Sequence, residues 1–204
     1  NVEASARFID KDEESFIALV VDVSESVTTG ENVEVLVERL QDLVTALEPG
    51  ADESSVYISL IMFGRSVRQV VPFTENYDVV RSQLQLIVDD PASLGINGMG
   101  TDLCNAVDQG VAEVKAVRES RSTAMYGGVL TTGTVITVTD GKDTSQPEPC
   151  SPVVPDSLIQ NLISLGISSD VERADLTGIG PQGAFLVPTP QDWESAFDEI
   201  GTRV

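Results

Sequence analysis

Apolar and polar positions change period repeatedly along the chain, and the changes mark its elements. Phe16 to Val21 (FIALVV) is a continuous apolar run that stops at Asp22. A short run of this kind, apolar at successive positions, reads as a strand buried on both faces, as in a parallel sheet. Val33, Leu36, Val37, Leu40, Leu43, Val44 and Leu47 follow at helical spacing, and Pro49-Gly50 supplies the stop. Val56 to Phe63 (VYISLIMF) is a second strand and Val67 to Val71 a third, joined by a turn at Gly64-Arg65. Val80, Leu84, Ile87 and Val88 predict a shorter helix, and Pro91 to Gly100 a Gly-rich loop. Leu103, Ala106, Val107, Gly110, Val111, Val114 and Val117 form the most regular amphipathic helix. Thr134 to Thr139 (TVITVT) is a further strand, again stopping at an aspartate, Asp140.

The C-terminal third is less regular. Thr144 to Pro155 is a Pro-rich loop. Leu158, Ile159, Leu162, Ile163 and Leu165 read as a helix, with Gly166 placed for its C-terminal cap. Ile167 to Gly180 is then expected to hold a strand, although Asp170, Glu172, Arg173 and Asp175 break its apolar pattern. Phe185 to Val187 reads as a last short strand, and Trp193, Ala196, Phe197 and Ile200 as the final helix. This alternation predicts an α/β fold: a doubly wound, mostly parallel six-stranded sheet with helices on both faces. Residues 1–13 form a polar lead-in and residues 14–204 a single domain, without internal repeats. In such sheets, ligands bind outside the carboxyl ends of the strands.

Composition narrows the chemistry. Asp and Glu number 33 against 12 Lys and Arg, for a net charge of -21. That field repels phosphate backbones, so nucleic acid is not an expected partner, whereas divalent cations are. The chain has no histidine, which removes imidazole bases, Ser-His-Asp and Cys-His nucleophiles and His-ligated zinc. Two cysteines cannot build a four-thiolate metal site. No stretch approaches the length of a membrane span, so no direct membrane insertion is expected. The chain opens at Asn1 without an initiator Met or a secretory apolar run. It is expected to be a mature product or a fragment, with any signal or anchor outside it.

The first strand runs into Asp22-Val-Ser24-Glu-Ser26, which sets three oxygen side chains at alternate positions. The strand over 134–139 delivers Asp140, followed by Gly141. The Gly-rich loop ends in Gly100-Thr101-Asp102, where the most regular helix begins. Three loops of one sheet edge thus each supply hydroxyl or carboxylate oxygen, with no sulfur and no nitrogen. This is the donor chemistry of a hard cation. Each piece also has a plainer reading: a helix N-cap at the serines, a cap at Thr101 or Asp102, a turn at Asp140-Gly141.

The pattern Asp22-x-Ser24-x-Ser26, then Thr101, then Asp140 resembles a von Willebrand factor type A domain carrying a metal-ion-dependent adhesion site. The resemblance covers about residues 14–203. It implies that Ser24 and Ser26 ligate a cation directly, that Thr101 does so directly or through water, and that Asp22 and Asp140 act mostly through coordinated water. Mg²⁺ is the implied ion, with Mn²⁺ or Ca²⁺ as substitutes. One open position would take a carboxylate from a protein ligand. The resemblance therefore implies a non-catalytic, metal-dependent adhesion or protein-binding module, monomeric as a domain. Two departures from the family's pattern are the stretch Tyr126 to Gly133, expected as a hairpin or extended loop, and the polar segment Ser168 to Asp175.

Cys104 lies one turn into the helix after Thr101, and Cys150 in the loop after Asp140. Both belong to the oxygen-bearing edge, so a disulfide between them is geometrically feasible; the alternative is two inert thiols. The disulfide is the reading adopted, and it points to an extracellular, cell-surface or periplasmic location. Gly178-Ile-Gly180-Pro-Gln-Gly183 matches a dinucleotide fingerprint, but Pro181 sits where its helix would start and no strand–helix unit follows. Two other functions compete: an intracellular module of the same family assisting a partner ATPase, as in metal chelatases, and a Mg²⁺-dependent hydrolase. The hydrolase has no evident general base, since Ser24 stands where an Asp-x-Asp phosphatase has its acid/base partner.

Overall fold

A computed structural model describes residues 13–49, 55–96, 100–124, 130–141, 144, 150, 157–169 and 171–204. Residues 1–12 of the expected lead-in over 1–13, the tip of the predicted hairpin at 126–129, most of the Pro-rich loop and Asp170 lie outside them, and Glu13 opens the first strand. Six strands form one sheet in the order β3-β2-β1-β4-β5-β6. They are β1 (Glu13–Asp22), β2 (Ser55–Phe63), β3 (Val67–Thr74), β4 (Leu130–Thr139), β5 (Asn161–Gly166) and β6 (Gly183–Leu186). Only β2 and β3 pair antiparallel, as the turn at Gly64-Arg65 requires; every other pairing is parallel. β1 lies in the middle, between β2 and β4, which explains its unbroken apolar run: successive side chains enter opposite cores.

Ile17, Leu19 and Val21 join the larger core with α2 (Val33–Ala46), α3 (Tyr77–Asp89) and α6 (Pro190–Arg203). Ala18 and Val20 join the smaller core under α4 (Leu103–Ala124). Helices therefore cover both faces, as the alternation predicts. A one-turn helix, α1 (Glu25–Thr28), follows β1 directly.

The C-terminal third corrects two expectations. Residues 158–165 do not form a helix: Asn161–Gly166 is β5, paired parallel with β4 and β6. Its apolar residues fit a helix turn and a two-faced buried strand equally well. Burial decides, because Leu162, Ile163, Ser164 and Leu165 are all inaccessible, which a helix on the sheet's surface cannot achieve. Gly166 is accordingly a strand residue and not a helix cap. Residues 167–180 hold no strand among those described; they hold α5 (Arg173–Thr177). The acids that break the apolar pattern are its start signal, since Glu172 N–H donates to the Asp175 carboxylate at 3.0 Å.

The glycine fingerprint is structural. A Cβ on Gly180 would stand 2.6 Å from the Ser164 nitrogen, and Gly183 opens β6 rather than a helix. Gly180→Ala is therefore expected to force β5 and α5 apart and to lower stability by about 2 kcal/mol or more. Urea unfolding of the variant checks this, and an unchanged midpoint would contradict the packing described.

Candidate metal centre

β1 ends by delivering Asp22 to the carboxyl edge of the sheet, where it is 1% exposed. Its Oδ1 accepts the Ser24 N–H at 2.9 Å and its Oδ2 accepts the Thr139 hydroxyl at 2.7 Å. The carboxylate is thus fixed between the two central strands by uncharged donors. Burial pushes its pKa up from 3.8 to about 6, the hydrogen bonds from Ser24 and Thr139 oppose the rise, and the charge of Asp140 adds to it.

The serines stand above this acid. Ser24 Oγ and Ser26 Oγ are 3.1 Å apart, and Ser26 Oγ donates to Asp140 Oδ1 at 3.2 Å. Ser24 is the N-cap residue of α1, yet its side chain makes no capping bond. The plainer reading of the motif as a helix cap therefore does not account for that hydroxyl. Asp22, Ser24, Ser26 and Asp140 form one hydrogen-bonded cluster built from two loops.

Thr101, 7% exposed, belongs to the third loop. Its N–H donates to Thr144 Oγ1 at 2.8 Å, and the Thr144 N–H donates back to the Thr101 carbonyl at 2.9 Å. The Cys104–Cys150 disulfide ties the α4 start to the loop after β4 a second time. The next residue, Asp102, donates its N–H to the Gly64 carbonyl at 2.8 Å. Gly64 lies against Ser24: a Cβ there would sit 3.4 Å from the Ser24 Cα and 2.7 Å from the Ile96 carbonyl. Gly100, at φ +116°, takes a backbone conformation open to glycine alone in practice, and so delivers Thr101.

For four of these residues the sequence reading named the strand, turn or loop but not the positioning role. Thr139, the polar end of an otherwise buried run, gave the best signal. Gly64 and Gly100 act by what they lack, and Thr144 through its hydroxyl and its main-chain N–H on the Thr101 backbone, neither of which leaves a periodic trace.

Among the described residues, no three of His, Cys, Asp and Glu gather as a metal cluster. Any cation here relies on hydroxyl oxygen supplemented by two carboxylates, a set suited to a hard divalent ion that keeps part of its water. Asp22 is buried with no arginine or lysine bonded to it among the described residues, so a cation would provide the compensating charge. The residues present fit such an ion.

The model of the von Willebrand factor type A domain matches residues 17–201. The chain belongs to this family. No curated protein matches it in sequence. Among solved structures, it is similar to proximal thread matrix protein 1 from the mussel byssus, at 14% identity and a TM-score of 0.66, covering 94% of this chain and 46% of that one. A structure of that protein with a zinc-occupied MIDAS motif matches at 17% identity and a TM-score of 0.60, covering 93% and 48%. The vWF domain of the type V pili tip protein Mfa5 from Porphyromonas gingivalis matches at 13% identity and a TM-score of 0.60, covering 94% and 95%. At these identities the likeness is one of fold, and the chain spans about half the length of the mussel protein's chains. Of the two departures from the family pattern, Leu130 to Gly133 extend β4 at its start, while the polar segment runs from Ser168, which lines a cavity shared with Ser26 and Asp140, into α5.

Two outcomes follow for the metal-free domain. The folded pKa of Asp22 lies above its unfolded value, so its contribution favours folding below about pH 4 and is lost as pH rises through about 6. The stability of wild type minus that of Asp22→Asn is expected to fall by up to about 3 kcal/mol between pH 4 and 7, measured by urea unfolding in EDTA. A difference independent of pH would contradict the burial of an ionised Asp22. Reduction of Cys104–Cys150, which spans 46 residues, removes a constraint worth up to about 4 kcal/mol on a chain-entropy account. The melting temperature is expected to drop by several degrees; an unchanged melt with both thiols titrating would argue against the clamp.

Proposed function

We propose that this von Willebrand A domain is a non-catalytic, metal-dependent protein-binding module of the adhesion type. In this reading Ser24, Ser26 and Thr101 hold a divalent cation, Mg²⁺ or in its place Mn²⁺ or Ca²⁺, through their hydroxyls. Asp22 and Asp140 support it through coordinated water. When bound, the ion supplies a Lewis-acidic position for an outside carboxylate. The observation that carries the reading is the cluster of Ser24, Ser26 and Asp140 oxygens above the buried Asp22 carboxylate.

The chain's own residues set the ion's charge balance. Two carboxylates acting at one remove leave the cation incompletely neutralised, which favours an acidic group from a partner. The mussel structure with zinc in its MIDAS motif supports metal binding in this fold. The absence of histidine from the whole sequence removes imidazole acid–base catalysis. The disulfide supports an extracellular, cell-surface or periplasmic setting. No helix among the described residues is long and apolar enough to cross a membrane. We take residues 14–204 as one binding domain, monomeric in itself, of a larger protein.

Calorimetric titration of metal-free domain with Mg²⁺ or Mn²⁺ is expected to show one dominant site, lost in Ser26→Ala and in Asp22→Ala. Unchanged binding in both variants would overturn the assignment.

A further inference from the structure

Two main-chain hydrogen bonds hold the turn between β2 and β3 against the candidate metal centre. The Val23 N–H donates to the Phe63 carbonyl at 2.7 Å, and the Asp102 N–H to the Gly64 carbonyl at 2.8 Å. The first comes from the chain just before Ser24, the second from the residue after Thr101. Arg65 follows directly and is solvent-exposed. A Cβ on Gly100, the neighbour of Thr101, would lie 4.0 Å from the Arg65 Cα. The backbone of Arg65 is therefore fixed beside two of the three oxygen-bearing loops.

Arg65 differs from the other cations in what it does not bond. Among the described residues, every arginine and lysine other than Arg65 and Arg173 has a hydrogen bond, an ion pair or a ring contact. Acids outnumber cations 33 to 12, so a guanidinium without an internal acid is the exception in this chain. Arg173 opens α5, which packs on β5 and β6. Arg65 instead stands at the metal-bearing edge, with its fork of donors open to a planar, bidentate acceptor such as a carboxylate.

The net charge of -21 repels an acidic ligand at long range. Screening at physiological ionic strength cuts that field off over about 8 Å. At contact, a guanidinium beside the cation outweighs acids spread over the rest of the surface.

Resting on the metal-dependent reading above, we propose that Arg65 is a specificity residue: it takes a second carboxylate of the ligand while the cation takes the first. The ligand is then a protein segment carrying two acidic residues, and a segment with one is bound more weakly.

The test uses capped peptides in excess Mg²⁺, followed by calorimetric titration. They are Gly-Gly-Asp-Asp-Gly-Gly, the same with one, two or three glycines between the acids, and for each the two forms in which one Asp is Asn. Two metal-seeking carboxylates give about a twofold advantage by statistics alone. At one spacing or more, the two-Asp peptide is expected to bind about fivefold more tightly than either Asn form. Added salt should shrink that advantage. Arg65→Gln should reduce it to the statistical twofold, while Arg173→Gln, which removes the same charge elsewhere, should leave it in place. Equal loss in both variants would mean that only the overall field acts, and would overturn the proposal. A twofold ratio at every spacing, or a fivefold ratio that survives Arg65→Gln, would overturn it while leaving the metal-dependent reading intact. Without peptide, Mg²⁺ affinity should not fall in Arg65→Gln, because the change removes a positive charge near a cation; a fall would make Arg65 part of the centre's own structure and overturn the proposal. Failure of every peptide to bind in a manner reversed by EDTA would overturn the underlying reading as well.

Discussion

The architecture of the site depends on one costly placement: a carboxylate at the buried end of the central strand. β1 is hydrogen-bonded on both sides and covered on both faces, so Asp22 emerges where water is largely excluded. An ion there needs compensation, and the protein supplies only part of it, through Ser24 N–H and the Thr139 hydroxyl. The remaining deficit is electrostatic, and its sign asks for a cation. The hydroxyls of Ser24 and Ser26 stand where such a cation would meet oxygen, and Asp140 closes the cluster from the neighbouring strand.

The rest of the edge holds three loops in fixed relation. Gly64 brings the β2–β3 turn against Ser24 and accepts the Asp102 N–H, while Thr144 and the disulfide bind the Thr101 loop to the chain after Asp140. Apart from the Thr144 hydroxyl, these are main-chain and covalent ties. The opposite edge solves burial of charge differently. Arg118, near the end of α4, is buried and donates to the carbonyls of Thr131, Ser157 and Leu158 and to the Gln160 side chain. There carbonyl and amide oxygens meet the charge, whereas Asp22 is met by the Ser24 N–H and the Thr139 hydroxyl.

Much of this was legible in the sequence because burial and chemistry coincide at strand ends. FIALVV stopping at Asp22 and TVITVT stopping at Asp140 announce both the sheet and its polar edge. The two cysteines were legible for the same reason, each being placed by a loop of that edge. β5 was not, because Leu162, Ile163 and Leu165 satisfy helical and two-faced strand patterns alike, and only their shared inaccessibility separates them. Glu172 and Asp175 misled in turn: acids that spoil a strand are the residues that start a helix. The approach of Gly64 to Ser24 and the Thr101–Thr144 pairing were invisible because close backbone approach writes no period into a sequence.

The central claim is that Ser24, Ser26 and Thr101, above the buried Asp22, form one cation site. Crystals grown with Mn²⁺ and measured for anomalous scattering test it most directly. The account predicts a single strong peak bounded by the Ser24, Ser26 and Thr101 hydroxyls, with water between the ion and both aspartates. A peak elsewhere, a peak ligated by carboxylates without the serines, or none at saturating Mn²⁺ would contradict it.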